Sequence, residues 1–247
     1  MVDESPTAPA RLRKQAETIA RAILNDAEAQ GLRPGDQLAT EAQMAPLYKS
    51  GRISVREALR ILEVHGIVVI EKGRGNGPRL ERLKARSVAA TLRLYFQYHH
   101  ATYADVLDAR TAIEPQLARR AAERGRAAQR RKVVEYQRAL LAERDDYNRI
   151  GTLGRQFMYL VGDMAHSPCL AVLNHALSDI QTWRTYSWFE NAAYWEPARR
   201  RLHELGCALL ERDSSRAEET VRQMHAAEGR LLRRAGPGIL SERVYWD

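Results

Sequence analysis

The chain has 247 residues, of which 45% are hydrophobic and 28% charged, a composition typical of a soluble globular protein with one large or two ordinary domains. No apolar run approaches the roughly 18 residues of a membrane span, and the N-terminus lacks a signal-peptide-like segment, so we expect a cytoplasmic protein with no membrane partner. The formal net charge of +8 permits a polyanionic partner without deciding for one.

The chain begins with a predicted leader and one amphipathic helix. Residues 1–10 combine acidic residues, Ser and Pro, and we expect them to be disordered. From residue 11 to residue 30 the apolar positions recur at helical spacing, and Gly31 ends the pattern. After a turn, Gln37 and Leu38 predict a very short strand that pairs with a later hairpin.

Two short helices joined by a Gly-containing turn follow, which predicts a helix-turn-helix. Thr40 is the expected N-cap of the first, with Met44 and Leu47 facing inward. The second is predicted to begin near Arg52. Its buried face is expected to consist of Val55, Ala58, Leu59 and Leu62.

The opposite face of this second helix is basic. Arg52, Arg56 and Arg60 follow one another at intervals of four, with Ile53 and Ser54 beside the first. Because Arg can form a fork onto guanine and small apolar groups can touch a thymine methyl, this face predicts DNA contacts. We expect Arg52 and Arg56 to contact base edges or phosphates, Ile53 a methyl group, and Ser54 a hydrogen-bonding partner. Alternatively, the arginines only solvate a helix face.

A basic-tipped β-hairpin, or wing, is predicted next. Residues 67–70 form one strand and residues 79–80 the other, joined by a Gly-rich turn. Lys72 and Arg74 supply positive charge, and Gly75 permits close approach of the backbone to DNA. Lys49 in the preceding turn completes the predicted contacts, together with Thr40, whose role could equally be capping alone.

Several pieces of this region resemble the winged-helix head of GntR-type bacterial transcription regulators. The matching segments, within residues 11–80, are Pro34-Gly-Asp36, Thr40-Glu41, Val55-Arg-Glu-Ala-Leu-Arg60, His65-Gly66 and Gly73-Arg-Gly75. The resemblance implies a homodimer that binds a palindromic operator in double-stranded DNA. Ala42 stands where the family often has Arg, so the operator sequence of relatives cannot be carried over.

The rest of the chain predicts helices only. Residues 81–86 are a charged linker, residues 87–235 an all-α domain and residues 236–247 a C-terminal tail. Pro115 is expected to kink its helix, whereas Pro168 and Pro197 are expected to mark helix starts. The predicted helices are 86–99, 102–123, 126–145, 148–165, 168–188, 191–211 and 213–235. The fold class is therefore mainly α, a winged helix-turn-helix followed by a helical bundle.

This helical half resembles the FCD subgroup of GntR regulators, which implies an effector-binding and dimerisation domain. The resemblance is carried by the segment Asp105–Pro115, by Ala118 and Ala121-Ala122-Glu123, and by His203 and His225, which are 22 residues apart. We predict that the protein is not an enzyme, because no nucleophile motif, phosphate loop or metalloprotease motif occurs.

Many FCD domains hold a divalent metal with an Asp, a His four residues later, and two further His. In this chain Gly154 and Met158 stand where the Asp and first His are expected. The later pair is either His203 and His225 or, in a register shifted by one residue, Leu202 and Met224. We therefore expect no cofactor. If a metal were bound, His203 and His225 would be its ligands.

An organic acid with apolar surface is the predicted effector. Met158 and the turns at 202–203 and 224–225 are expected to enclose it. Arg110 fits either a carboxylate-binding role or a salt bridge with Asp105 or Glu114. Trp183 and Tyr186 fit either aromatic walls of this pocket or the core.

Taken with the resemblance, these patterns predict a dimeric, sequence-specific transcription regulator, a repressor, controlled by a small organic effector. Two alternatives stay open. One is a metal-dependent FCD regulator of organic-acid metabolism that uses His203 and His225. The other is a DNA-binding protein without a ligand.

Overall fold

The computed structural model describes residues 8–70, 77–81, 85–143, 146–185, 192–235 and 238–246. Within these ranges the side chains of 8–11, 182–185, 192–194 and 235 are not described. The chain divides into two compact units, Met1–Ser87 and Val88–Asp247. No helix in the described ranges is long and apolar enough to cross a membrane.

The secondary structure is almost entirely helical, with one small antiparallel hairpin. The helices are α1 (Ala8–Ala29), α2 (Glu41–Leu47), α3 (Arg52–Val64), α4 (Ala85–Tyr98), α5 (Tyr103–Arg124), α6 (Ala127–Ala142), α7 (Tyr147–Met164), α8 (Pro168–Thr185), α9 (Ala192–Glu211) and α10 (Ser214–Ala235). The strands are β1 (Val68–Val69) and β2 (Arg79–Leu80).

In the N-terminal unit α1 packs on α3 through the two predicted apolar faces. Leu12 begins the predicted face of α1 but is 38% exposed, and Gly31 ends the helix with a positive φ of 67°. The predicted inward face of α3 is confirmed, since all four of its apolar residues are buried. The residues that form this core on α1 and α3 are Ala16, Ile19, Ala20, Ile23, Ala27, Val55, Ala58, Leu59 and Leu62.

Helix α2 is only seven residues long, and its two ends behave differently. At its start Thr40 and Gln43 form a capping box, in which the Thr40 N–H donates to Gln43 Oε1 over 2.9 Å. Met44 is buried as predicted, but Leu47 is 61% exposed, so its predicted inward orientation is wrong. Because α2 ends at Leu47, the next residue, Tyr48, packs against the core instead and donates its hydroxyl to Asp26 Oδ2 over 2.8 Å.

The predicted hairpin is present, with Val68 opposite Leu80 and Val69 opposite Arg79. Gln37 forms an isolated bridge with Arg79, which is the predicted pairing of the short strand. A Cβ atom on Gly77 would lie 2.6 Å from the Leu38 carbonyl oxygen, so only glycine fits at this position.

The seven helices predicted after the hairpin are all present, as α4 to α10, with ends that differ by a few residues. Helix α5 begins with a capping box formed by Thr102 and Asp105, continues through Pro115, and packs on α7, α8 and α10. Pro168 begins α8 as predicted. Pro197 lies inside α9, which already begins at Ala192, so the prediction that it marks a helix start is wrong.

The C-terminal residues pack on the domain rather than forming a separate tail. The Tyr103 N–H donates to the Glu242 carbonyl over 3.1 Å, and the Val244 N–H donates to the Ala101 carbonyl over 2.9 Å. Ile239 and Val244 are buried. Residues 238–246 therefore belong to the helical domain. The segment has too few apolar residues to form a periodic pattern, so the sequence does not predict this packing.

Candidate functional site

The outer face of α3 exposes a row of cationic and apolar side chains. Arg52, Arg56 and Arg60 are exposed, as their spacing predicts, and Ile53 is 72% exposed between them. The N-cap residue of α3 is Gly51, which has no side chain to cap the first turn. This face can offer guanidinium groups and a methyl-sized apolar contact to a polyanion.

Ser54 does not lie on this face, contrary to our prediction. It is only 5% exposed, and its hydroxyl donates to Gln15 Oε1 over 3.1 Å. Ser54 precedes Ala58 by four residues and Leu62 by eight, so helical periodicity places it on the buried stripe. Gln15 also donates to Ser50 Oγ over 3.3 Å. This α1 side chain therefore links the turn to α3, a role that sequence reasoning missed.

Arg56 is exposed but its charge is compensated. Its Nη2 donates to Glu41 Oε2 over 2.9 Å and its Nε over 3.2 Å, which joins α3 to the first turn of α2. Arg52 and Arg60 have no acidic partner among the described residues. The uncompensated positive charge of α3 therefore lies at these two positions.

The other predicted DNA contacts are only partly described. Lys49 lies in the turn between α2 and α3 with a φ of 46°. The Thr40 hydroxyl is used within its capping box, where it donates to Gln43 Oε1 over 2.9 Å. Lys72, Arg74 and Gly75 lie outside the described residues.

A second candidate site is a cavity of about 350 Å³ in the helical domain. Its wall includes Gly154 and Met158 of α7, Leu202 of α9 and Met224 of α10. A Cβ atom on Gly154 would lie 3.1 Å from Leu202 Cδ1, so Leu202 fills the space beside the glycine. These four residues are the ones that the shifted register predicts, and they line one cavity. Their side chains offer no oxygen or nitrogen ligand.

Neither histidine of the unshifted register lines the cavity. His203 is exposed, and the Gln137 amide nitrogen donates to its backbone carbonyl over 3.0 Å. His225 is 4% exposed, and its Nε2 lies 3.0 Å from Glu114 Oε2. No group of three or more acidic, Cys or His side chains within the described ranges could hold a metal.

Beside the cavity lies a buried network of charged and amide side chains. Arg110 donates to Glu114 Oε1 over 2.6 Å and to Gln181 Oε1 over 2.5 Å, and Gln181 donates to Glu228 Oε1 over 2.8 Å. The His225 Nδ1 lies 3.6 Å from Glu228 Oε2. Arg110 thus lines the cavity and also forms a salt bridge with Glu114, which was one of its two predicted ion-pair partners.

The network shifts the pKa values of its members. Burial alone would lower the pKa of His225, but the adjacent Glu114 carboxylate outweighs it and raises this pKa to about 9. Burial alone would raise the pKa of Glu114, but Arg110 and His225 outweigh it and lower this pKa to about 2. We therefore expect His225 to be protonated and Glu114 ionised at neutral pH.

The cavity wall also holds residues that sequence reasoning missed. Trp195 is 5% exposed and supplies aromatic surface, whereas the side chain of Trp183 and the whole of Tyr186 lie outside the described residues. The α10 residues Glu228, Leu231 and Arg234 could have been predicted, because they follow Met224 at helical spacing. The other missed wall residues with polar or charged groups are Arg155, Ser178, Gln181, Arg201, Glu228, Arg230 and Arg234.

Comparison with known proteins assigns both units. The family model for bacterial regulatory proteins of the gntR family matches residues 15–76, and the model for the FCD domain matches residues 105–227. The chain belongs to the GntR family. It is a GntR regulator of the FCD type. Its helix-turn-helix falls within the GntR match, and its cavity is lined mostly by residues of the FCD match, with Glu228, Arg230, Leu231 and Arg234 just beyond the end of that match.

The relatives of this GntR protein span most of its length. The galactonate operon transcriptional repressor of Escherichia coli (strain K12) is 23% identical over 203 residues, which cover 81% of this chain and 89% of the relative. The solved structure described as Streptococcus agalactiae GntR has a TM-score of 0.65 at 16% identity, covering 87% of this chain and 99% of that one. The structural match confirms the predicted fold.

Proposed function

We propose that this GntR regulator is a dimeric, sequence-specific DNA-binding repressor whose DNA affinity is set by an organic effector bound in the helical cavity. The exposed basic face of α3 carries the proposal, because it is the surface that a helix-turn-helix presents to the major groove. The repressor role is supported by the E. coli relative, which is named a transcriptional repressor.

Arg52 is the strongest single candidate for a base contact. It stands in the first turn of α3, is exposed and has no acidic partner among the described side chains. Arg56 must first release Glu41 before it can form a fork onto a base. We therefore assign readout to Arg52 and Ile53, and assign to Arg56 the alignment of α3 with α2.

Dimerisation is supported by an apolar surface on α4. Leu94, Tyr95 and Tyr98 are all more than half exposed on this helix. The backbone N–H of Trp246 donates to Gln97 Oε1 over 2.8 Å, so Trp246, which is 60% exposed, also lies next to this helix. A second copy of the chain is the proposed occupant, because two heads are needed to read the two halves of a palindrome.

The cavity supports an organic effector rather than a metal-bound one. Gly154, Met158, Leu202 and Met224 provide no hard or imidazole ligand, so a divalent cation would find no such donor at these four positions. The same side chains favour burial of hydrocarbon. Effector control distinguishes this proposal from a ligand-independent DNA-binding protein, whose DNA affinity no metabolite would change.

Titration of the protein with a duplex from its own upstream region, followed by fluorescence anisotropy, tests the proposal. We expect saturable binding that weakens as salt is raised and that exceeds binding to a scrambled duplex. Arg52→Ala should weaken specific binding roughly tenfold to a hundredfold, since one bidentate base contact contributes about 1–3 kcal/mol. Arg56→Ala should cost less, because Glu41 already compensates its charge.

The matched control is Arg131→Ala, which removes the same charge from an exposed position on α6. It should leave specific binding unchanged. Equal affinity for the upstream and scrambled duplexes would disprove sequence-specific regulation. An Arg52→Ala protein with normal thermal unfolding and unchanged affinity would show that α3 does not read DNA in this way.

A further inference from the structure

The wall of the helical cavity carries more positive charge than its own acidic groups compensate. Arg110 is bonded to Glu114, and Arg155 lies 3.4 Å from Asp179. Arg201, Arg230 and Arg234 also line the cavity. For these last three, no acidic partner occurs among the described residues.

Ordinary helix solvation accounts for these three arginines only in part, because Arg230 and Arg234 are exposed whereas Arg201 is half-buried. Arg230 and Arg234 are four residues apart on α10, a spacing at which like charges repel each other. Arg234 stands in the last turn, where the helix dipole favours a cation, but Arg230 is one turn earlier. Arg201, on α9, is half-buried and lines the same cavity.

Most of the remaining wall is apolar, although Ser178, Gln181 and Glu228 also line it. Met158, Trp195 and Leu202 are buried side chains that line the same volume. A ligand that satisfies this wall therefore needs both hydrocarbon and negative charge. At about 350 Å³, the cavity is at the lower end of the usual range for small-molecule sites, which runs from about 300 to 1,000 Å³.

We propose that the cavity binds an organic phosphate monoester with a short apolar group. This assignment names the effector class and rests on the effector role proposed above. A phosphate monoester carries about −1.5 to −2 charges at pH 7 and three acceptor oxygens, which match three guanidinium groups. A monocarboxylate supplies one charge and two oxygens and would leave at least one of Arg201, Arg230 and Arg234 uncompensated.

Calorimetric titration of the full chain with a matched panel tests the proposal. The probes are butyl, hexyl and phenyl phosphate, hexanoate, 1-hexanol and inorganic phosphate. At least one organic phosphate should bind tenfold or more tightly than hexanoate, because only the phosphate carries a second negative charge. Hexanol and inorganic phosphate should bind more weakly still, since each satisfies one part of the cavity only.

Arg230→Gln should weaken binding of that phosphate by tenfold or more. Arg233→Gln, which removes the same charge from an exposed α10 position outside the cavity wall, is the control and should have no effect. Hexanoate binding as tight as that of the best phosphate, no binding by any organic phosphate, or equal effects of the two variants would each overturn the proposal.

The same samples separate this inference from the proposed function. Release of the upstream duplex by hexanoate or hexanol, with no response to phosphates, would leave effector control standing and reject the phosphate assignment. Failure of the ligand-free protein to prefer its upstream duplex would reject the regulatory function itself, whatever the calorimeter reports.

Discussion

At the scale of single residues, we expect His225 to lower the stability of the protein as the pH becomes alkaline. Its pKa is raised from 6.5 to about 9 in the fold by Glu114, against the effect of burial. A raised pKa contributes stability that is fully present below about 6.5 and is lost as the pH rises through about 9. Urea unfolding at intervals from about pH 6 to 10 should therefore show a falling free energy of unfolding.

His225→Gln is the matched variant, because glutamine has similar size but does not titrate. We expect it to be less stable at pH 6 by about 3 kcal/mol, since it leaves Glu114 without one of its buried partners. Its stability should also change less than that of the wild type between pH 7 and 9. Parallel profiles for the two proteins would show that His225 is not the titrating group.

The candidate sites were predictable to the extent that they depend on local periodicity. The spacing of four residues identified the exposed arginines of α3, although the same rule, applied to Ser54, would have placed it on the buried stripe. The Arg56–Glu41 ion pair joins two helices, and no pattern within either helix reveals it. The contact between Gln181 and Glu228 spans α8 and α10 and is hidden for the same reason.

At the scale of secondary structure, Gly77 fixes how the return strand of the hairpin meets residue 38. The Leu38 N–H donates to the Pro78 carbonyl over 2.7 Å, which holds the two backbones together. Because a Cβ on Gly77 would meet the Leu38 carbonyl at 2.6 Å, Gly77→Ala must displace backbone. We expect a loss of about 1–3 kcal/mol in the free energy of unfolding, a typical cost of overpacking.

Gly51→Ala is the control for this substitution, since no atom lies within 4 Å of the Cβ that it adds. Chemical denaturation of the two variants should give a clear loss for Gly77→Ala and a small one for Gly51→Ala. Similar losses in both would mean that the hairpin accommodates the methyl group by shifting freely.

Helix positions followed from the sequence because caps and apolar periodicity are local signals. Thr40 and Thr102 each cap a helix together with the residue three positions later. The prediction from Pro197 was wrong because this proline is the sixth residue of α9, beyond the first turn in which proline is normally tolerated. The packing of residues 238–246 depends on hydrogen bonds to a segment about 140 residues earlier, between Val244 and Ala101, which no local pattern encodes.

At the scale of the whole molecule, we predict that the purified protein retains no stoichiometric metal. The cavity presents Gly154, Met158, Leu202 and Met224, and the imidazole rings of His203 and His225 contact Gln137 and Glu114, respectively. Elemental analysis after dialysis against buffer containing zinc or nickel should therefore find no more metal than a dialysed control protein.

His203→Ala provides the decisive comparison for this prediction. One equivalent of zinc or nickel in the wild type that is lost in this variant would show that the histidines ligate a metal. The apolar assignment of the cavity would then be wrong.

The contrasting burial of two tryptophans gives the molecule built-in optical probes. Trp195, 5% exposed in the cavity wall, emits from an apolar setting, whereas Trp246, 60% exposed beside α4, emits from a largely aqueous one. A quencher dissolved in water reaches the second ring far more readily than the first. The chain has four tryptophans, so Trp183 and Trp188 must also be replaced by Phe. Proteins that keep only Trp195 or only Trp246 would then separate, without any attached dye, fluorescence that changes when the cavity fills from fluorescence that changes when the α4 face becomes covered.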